Sequence, residues 1–212
     1  MLLNRSSFSD MIFMVITMAV ITLVSLPFHE FSHALIANAL GDQTAKRVGR
    51  LTLNPLRHLD VLGTICLVLA GFGWAKPVPV NPSNFKHPRA GMALTALAGP
   101  ISNLFLAFVA EFFLIVMKTP SDSLNYLFLF YFIYINVMLA VFNLIPINPL
   151  DGSRILALIL PRRAEAFLSR YEQYLMIVVF ILIFSGLLNT PITFLVNHIM
   201  IGFESVINLL PL

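Results

Sequence analysis

The sequence predicts an all-α polytopic membrane protein with about four to five transmembrane helices, one re-entrant or interfacial segment and a small β element near the cytoplasmic face. Hydrophobic residues make up 58% of the 212 residues and charged residues only 11%, whereas soluble domains carry about 25% charged residues. Long apolar runs recur along the whole chain, which indicates several crossings rather than a single anchor. The 13 Lys and Arg are concentrated in two stretches, which predicts how the crossings are oriented.

The two basic stretches are expected on the cytoplasmic side of the membrane. Residues 41–90 contain seven of the 13 Lys and Arg, and residues 152–170 contain four. Cytoplasmic loops are enriched in these residues, so the N-terminus is expected outside and the end of the first helix inside. The net charge of +3 then reflects membrane orientation, and no nucleic-acid partner is predicted.

The order of apolar and polar stretches predicts a single membrane-embedded domain over residues 1–212. Its parts are, in order, a crossing over residues 10–40, a cytoplasmic-side region over 41–89, crossings over 90–117 and 124–151, and C-terminal helices over 173–212. Gly41 is the expected stop of the first helix. Within the C-terminal part, residues 173–188 are predicted to cross the membrane, and the role of the residues after Pro191 stays open between a crossing and an interfacial helix.

The region 41–89 contains features that differ from a spanning helix. Residues 47–53 combine mixed alternation with β-branched side chains and predict a short strand. Residues 59–74 are apolar but short, and basic residues flank them on both sides, so we interpret them as a re-entrant or interfacial segment. The three prolines within residues 75–82 then force an extended path.

The first crossing carries the strongest chemical motif, H-E-F-S-H at residues 29–33. On a helix, His29 and His33 project from one face. Their spacing suits two nitrogen ligands of one Zn²⁺, and Glu30 is placed to take a proton from water. Polar groups inside an apolar helix cost several kcal/mol unless they are used. The motif is therefore expected to form a site just below the cytoplasmic membrane surface.

A catalytic zinc site usually has a third protein ligand, and Asp151 is the candidate. It follows the third crossing in a proline-broken segment, and three crossings bring it to the same side as His33. An ionisable residue at a membrane boundary is a functional candidate by default. The residues alone support a second role equally well, which is an N-cap for a helix that starts at Gly152.

Three motifs together resemble the site-2 protease family of intramembrane zinc metalloproteases. They are H-E-F-S-H at residues 29–33, N-L-I-P-I-N-P-L-D-G at 143–152, and A-G-P at 98–100 with Asn103. The string F-G-W-A-K-P-V-P-V at 72–80 is similar to the short bacterial members. We find no PDZ insert and no nucleotide-binding regulatory domain, so the resemblance is to a minimal member.

The resemblance implies a fold, a reaction and a set of roles. It implies that His29, His33 and Asp151 hold one zinc ion, that Glu30 is the general base, and that Asn143 supports catalysis near the scissile carbonyl. It also implies cleavage of transmembrane segments in single-pass membrane proteins within the lipid bilayer. Anti-sigma factors, membrane-bound transcription factors and signal-peptide remnants are the substrate kinds it suggests. The expected location is a bacterial inner (plasma) membrane, with the active site toward the cytoplasm.

Two other classes of function compete with the protease. A metal-ion transporter also places histidines and acids in the membrane, but it needs ligands along a path to the other face, and beyond Glu111 the outer halves offer almost none. An inactive, protease-like binding scaffold needs no general base, so the intact Glu30 argues against it. The other polar residues are expected to be structural: Asn103 as a hydrogen-bonding contact between helices or near the site, and His58 and His87 as solvated side chains.

Overall fold

The computed structural model of the chain describes residues 8–60, 63 and 75–210, and the regular structure there is helical. The helices are, in chain order, α1 (Phe8–Ala39), α2 (Thr44–Arg47), α3 (Pro55–His58), α4 (Pro88–Val116), α5 (Leu124–Asn143), α6 (Asp151–Ile159), α7 (Arg162–Arg170), α8 (Glu172–Phe184) and α9 (Asn189–Ile207). A 3₁₀ turn, Pro82–Asn84, precedes α4. This confirms the helical part of the predicted fold class.

Among the described residues, four helices are long and apolar enough to cross a membrane. They are Ile12–Ala39 within α1, Pro88–Val116, Leu124–Asn143 and Asn189–Ile207. The first three match the crossings predicted over residues 10–40, 90–117 and 124–151. The molecule is therefore a multi-pass membrane protein in which the chain between the third and fourth of these helices forms shorter helices.

The C-terminal crossing lies further along the chain than predicted. The helix over the predicted crossing at 173–188 is α8, which has only 13 residues and spans about 20 Å at 1.5 Å per residue. A membrane core is about 30 Å thick, so α8 is too short to cross it. Gly186 adopts a φ of 75° and separates α8 from α9, whose 19 residues are long enough.

The first helix ends in a Schellman motif at the predicted stop. The Gly41 N–H donates to the Asn38 carbonyl at 3.2 Å, and the Asp42 N–H donates to the Ala37 carbonyl at 2.9 Å. This pair of bonds satisfies carbonyls at the helix end that would otherwise lack donors. The turn brings Asp42 into a fully buried position directly after α1.

The strand predicted over residues 47–53 does not form. Arg47 ends the short helix α2, and the Arg50 N–H donates to the Ala45 carbonyl at 2.8 Å. Between them, Gly49 has a φ of 69°, which interrupts any extended path. The β-branched pattern was too short to outweigh this turn. In the described residues, the small β element is reduced to an isolated antiparallel bridge between Leu59 and Ala75.

The predicted re-entrant segment at 59–74 lies outside the described residues except at its first two positions and Gly63, so it stays a prediction. The chain on its two sides is paired. In addition to the Leu59–Ala75 bridge, the Lys76 N–H donates to the His58 carbonyl at 2.8 Å. The segment therefore begins and ends at neighbouring points.

Residues 76–81, which we call the strap, form neither a helix nor a strand, and their prolines favour an extended path. The strap is attached at both ends. The Arg50 guanidinium donates to the Lys76 carbonyl. At the other end, the Asn81 N–H donates to Asp42 Oδ2 at 2.7 Å. The strap is thus held between two buried charged side chains that both follow α1.

Asp42 accepts hydrogen bonds on both carboxylate oxygens. Oδ1 accepts from the Thr44 N–H at 3.1 Å, from the Thr44 hydroxyl and from Asn84 Nδ2 at 2.7 Å, and Oδ2 accepts from Asn81. Burial alone would raise the pKa of this carboxyl, but these donors outweigh it and hold the pKa below its ordinary value of 3.8. The ionised form is therefore the one that the fold stabilises.

The variant Asp42→Asn is expected to lower the free energy of unfolding at pH 7 by about 1–3 kcal/mol, because its amide N–H₂ would face the Asn81 N–H and leave that donor unsatisfied. A carboxyl with a lowered pKa stabilises the fold above its unfolded pKa and loses this effect as pH falls through the folded pKa. The difference between wild type and variant should therefore be full at pH 7 and shrink below about pH 3.8. Unfolding in mixed micelles across this pH range measures it, and an equal difference at pH 7 and pH 3 would contradict the explanation.

Helix α4 is the central helix of the bundle and packs against α1, α5, α6 and α9. The buried apolar core lies where α4, α5 and α9 meet, and its members are Ala107, Ala110, Ile133, Val137, Val141 and Val196. Alanines on α4 let the neighbouring helices approach closely. This packing fixes α4 as the helix against which α1 and α6 present their polar residues.

One histidine prediction holds and one is wrong. His87 is exposed at the start of α4, as expected. His58, predicted to be solvated, is only 1% exposed, and its Nε2–H donates to the Thr52 carbonyl at 2.7 Å. The fold buries this side chain where α3 ends beside the start of the strap, and residue type alone does not reveal such burial.

Candidate metal centre

Helix α1 presents the three polar residues of the H-E-x-x-H motif near its C-terminal end. His29, Glu30 and His33 are 6%, 9% and 8% exposed, so they lie inside the protein rather than against lipid or solvent. The two histidines are one helical turn apart and therefore project from one face. Their Nε2 atoms are 3.0 Å apart, so both rings point at one position.

Asp151 reaches the same position from the first turn of α6. Its Oδ2 lies 3.2 Å from His29 Nε2 and 3.3 Å from His33 Nε2. The ligand atoms of these three residues are close enough together to hold a metal ion. Within the described part of the chain, this is the group of His and acidic side chains with that property. The structure therefore brings together the three side chains that the sequence singled out, although Asp151 is far from the two histidines along the chain.

Hydrogen bonds behind the rings fix which histidine nitrogens face inward. A carbonyl oxygen can only accept, so His33 Nδ1 donates to the Thr95 carbonyl, 2.7 Å away. On the other ring, His29 Nδ1 lies 2.6 Å from Asn103 Oδ1, which is also an acceptor. Both rings thus carry their proton on Nδ1 and present the Nε2 lone pair to the shared position.

The orientation of Asn103 is itself fixed by a buried chain of amides. Asn136 Nδ2 donates to the Phe132 carbonyl at 2.8 Å, which leaves its Oδ1 to accept from Asn103 Nδ2 at 2.9 Å. The Oδ1 of Asn103 is then turned toward His29. Both asparagines are fully buried. This chain links α1, α4 and α5, so Asn103 makes both of the contacts that the sequence had offered as alternatives.

A positive charge between the three inward atoms would stabilise their arrangement. Two imidazole lone pairs and a carboxylate oxygen repel one another at these distances, and Asp151 Oδ2 is buried with no hydrogen-bond donor in the described residues. A tetrahedral ion with bonds of about 2.0–2.1 Å needs donor atoms about 3.3 Å apart. The observed separations of 3.0, 3.2 and 3.3 Å fit such an ion, and the two-histidine, one-carboxylate donor set is one that zinc uses.

Two glycines make room for this cluster. A Cβ on Gly99 would lie 2.4 Å from His29 Cε1 and 2.6 Å from His33 Cε1, so α4 approaches both rings closely because this residue has no side chain. A Cβ on Gly152 would lie 2.2 Å from the Leu144 carbonyl oxygen. The first turn of α6 can therefore pack onto the end of α5, which places Asp151 beside the histidines.

Glu30 is held by the strap rather than by another side chain. Its Oε2 accepts a hydrogen bond from the Val78 backbone N–H at 2.9 Å. The carboxylate is nearly buried and interacts electrostatically with His33, so it lies near the position that the three ligand candidates share. A carboxylate in this place is suited to accept and return a proton.

Asn143 does not join the cluster in this structure. Its side chain is half-buried at the end of α5, and Nδ2 donates to the Leu139 carbonyl of its own helix at 2.9 Å. No hydrogen bond connects it with His29, His33 or Asp151 among the residues described. Its predicted role near a substrate carbonyl stays a prediction.

Sequence reasoning missed three partners of the site. Asn136 was detectable, since it is a polar residue in an apolar helix two turns before Asn143, on the same face. Thr95 and Val78 contribute a backbone carbonyl and a backbone N–H. Residue type does not determine which backbone groups face a site, so these two contacts require the structure.

Asn103→Ala is expected to weaken zinc binding about 10–100-fold, the usual effect of removing a residue that orients a metal-binding histidine. The change leaves His29 Nδ1–H without an acceptor and Asn136 Oδ1 without a donor. Competition with a chromophoric chelator measures the affinity. Asn143→Ala serves as the contrast, because its amide contacts only its own helix and its removal should leave zinc affinity unchanged. Equal affinities for Asn103→Ala and wild type would contradict the assignment.

Comparison with known proteins gives consistent matches. A model of the family described as "Peptidase family M50" matches residues 117–186. The chain is 46% identical over 172 residues to "Putative zinc metalloprotease YwhC" of Bacillus subtilis, covering 77% of this chain and 78% of that protein. It is 30% identical over 171 residues to "Putative zinc metalloprotease Rip2" of Mycobacterium tuberculosis, covering 79% and 66%. A similarly named protein of Methanocaldococcus jannaschii is 31% identical over 151 residues, covering 71% and 73%. No solved structure matches the chain.

Proposed function

The chain belongs to peptidase family M50, and from this premise we propose that it is an intramembrane zinc endopeptidase that cleaves the transmembrane segments of single-pass membrane proteins. Residues 1–212 act in this proposal as one membrane-embedded metalloprotease domain. Regulated intramembrane proteolysis, in which a membrane protein is cut to release a signal, is the process such an enzyme serves.

The observation that carries the proposal is the convergence of His29, His33 and Asp151 on one point beside Glu30, inside a bundle of membrane-length helices. Each residue is buried or half-buried, and the cluster lies near the C-terminal end of α1. A metalloprotease needs two things here, a metal held by protein ligands and a carboxylate that moves a proton. Both are supplied from helices that a bilayer would surround.

The roles follow from the donor set and from what each side chain can do. His29, His33 and Asp151 would hold one zinc ion. When bound, zinc lowers the pKa of water to about 7 and polarises a carbonyl. Glu30 accepts the proton of the attacking water and returns it to the nitrogen of the leaving amine. Asn143 donates an amide N–H to the oxygen of the scissile carbonyl, after it exchanges its bond to Leu139 for one to the substrate.

A transmembrane substrate must unwind before a protease can reach its peptide bonds, because a helix uses its backbone groups internally. An extended segment of the enzyme can receive the unwound stretch by strand-like pairing. Residues 47–53 are not extended, so they do not provide this wall. The strap is the extended segment beside Glu30, and Val78–Val80 is the wall that we assign to the substrate.

The proposed location is the bacterial plasma membrane, with the site toward the cytoplasm. The support is the distribution of Lys and Arg, which concentrates them in residues 41–90 and 152–170. The strap and both ends of the 41–89 region lie in the first of these stretches, next to the C-terminal end of α1. A cytoplasmic position gives water access to Glu30 without a channel through the whole membrane.

The proposal is tested by placing the purified protein in liposomes with single-pass reporter proteins. One reporter carries a leucine-rich transmembrane helix and a second carries an Asn-Pro pair at its centre, which weakens the helix. We expect zinc-dependent cleavage inside the membrane segment, faster for the second reporter, with the position read by mass spectrometry. Fragments cut only in the soluble loops, or none at all, would overturn the proposal in favour of a transporter or scaffold.

A further inference from the structure

We propose that Val78 is a positioning residue whose backbone N–H orients the carboxylate of Glu30. The inference rests on the proposed function, since it concerns the group to which that function assigns proton transfer. The contact is a hydrogen bond of 2.9 Å from the Val78 N–H to Glu30 Oε2. It connects residues far apart in sequence and engages one carboxylate oxygen, and among the described residues no hydrogen bond engages Oε1.

Backbone donors are few in the strap. Pro77 and Pro79 have no N–H, so Val78 and Val80 are the residues that can donate between its two attached ends. The Val78 N–H is the one that bonds to Glu30.

The strap is fixed well enough to position a side chain. At one end Lys76 is bonded through both its N–H and its carbonyl. At the other end Asn81 and Asn84 both donate to the fully buried Asp42. Val78 lies midway between these attachments. A segment held in this way is a fixed support for Glu30, whereas a mobile lid would need several buried hydrogen bonds to break.

The chemical consequence concerns rate rather than metal binding. Glu30 is a flexible side chain, and proton transfer requires its free oxygen within hydrogen-bond reach of the reacting water. Misplacement of a reacting group by about 1 Å can reduce the rate about 100-fold. Fixing Oε2 limits the rotations of the carboxylate and therefore the positions that Oε1 can take.

The first test removes the N–H with the smallest backbone change. Val78 precedes a proline and is already restricted to extended conformations, so Val78→Pro can follow the same path without the donor. We expect kcat to fall about 10–100-fold with zinc content close to wild type. The conservative variant Val78→Ala keeps the N–H and should retain a kcat at least tenfold above that of Val78→Pro. Equal kcat values for these two variants would overturn the inference.

The second test does not depend on activity. Hydrogen–deuterium exchange of zinc-loaded protein follows the amides of the strap, which belong to Lys76, Val78, Val80 and Asn81. In Glu30→Ala the Val78 amide should exchange at least tenfold faster than in wild type, while Glu30→Gln keeps an acceptor oxygen and the protection. The Lys76 amide, bonded to the His58 carbonyl, is the internal control and should not change.

The two readouts separate failure of the inference from failure of the proposed function. Unchanged exchange of Val78 in Glu30→Ala overturns the inference, whether or not the protein cleaves a reporter. Absence of reporter cleavage by the wild type overturns the proposed function, whatever the exchange result. Faster exchange in Glu30→Ala together with the kcat loss in Val78→Pro supports the positioning role.

Discussion

Glu30→Gln is expected to lose reporter cleavage by about 10²–10⁴-fold, the contribution typical of a general base, while it keeps a full zinc content. Glutamine has nearly the same shape as glutamate and retains an oxygen that accepts the Val78 N–H. It does not accept a proton from water at neutral pH. Rates from reporter cleavage and zinc content from mass spectrometry measure the two effects on the same preparation.

A matched control for this variant lies within the same motif. Within the described part of the chain, the Ser32 hydroxyl donates to the Phe28 carbonyl of its own helix, at 2.8 Å. Ser32→Ala should therefore cleave within about twofold of wild type and bind zinc equally. A Glu30→Gln protein that still cleaves at the wild-type rate would remove Glu30 from the mechanism. A Glu30→Gln protein that loses its zinc would show that the residue holds the metal site together instead.

Gly99→Ala is expected to weaken zinc binding by at least about 100-fold, and with it cleavage, although the residue has no functional group. The added Cβ would meet His29 Nε2 at 2.5 Å and His33 Cε1 at 2.6 Å, where ordinary contacts begin at 3.4 Å. Both rings would have to move away from α4. An effect this large exceeds the 10–100-fold typical of a lost supporting hydrogen bond, because two ligand candidates are displaced together. A chelator competition assay measures it.

Gly202→Ala is the matched control for this substitution. It also replaces a helical glycine, in α9, but a Cβ added there would meet no described atom within 4 Å. Alanine should therefore stabilise the protein by about 0.5–1 kcal/mol through its helix preference and leave zinc affinity unchanged. Wild-type zinc affinity in Gly99→Ala would contradict the close approach of α4 to the two histidines.

The grouping at the site could be predicted because metal chemistry restricts both residue type and spacing. Two histidines four residues apart share a helix face, and the distribution of basic residues brings Asp151 to the same membrane side. The structure indeed places the three side chains together. Their roles as ligands, and that of Asn143 near a carbonyl, remain predictions that the zinc and cleavage measurements test.

The features that could not be predicted depend on backbone contacts, or on competition between local conformations, and residue type specifies neither. Val78 acts through its backbone, and only the flanking prolines hint at a special path. The strand at 47–53 failed because a left-handed Gly49 and a helical turn before it outweighed a short β-branched pattern. In the C-terminal region, hydropathy is high on both sides of Gly186, so the position of the break decided which helix is long enough to cross.

The separation of the site along the chain has a consequence for how the protein is made. His33 is synthesised before Asp151, and at about 5–20 residues per second the interval between them is about 6–24 s. During that interval the two histidines and Glu30 are present in the chain without Asp151. The group of three ligand candidates therefore cannot assemble before the whole of α5 has been synthesised.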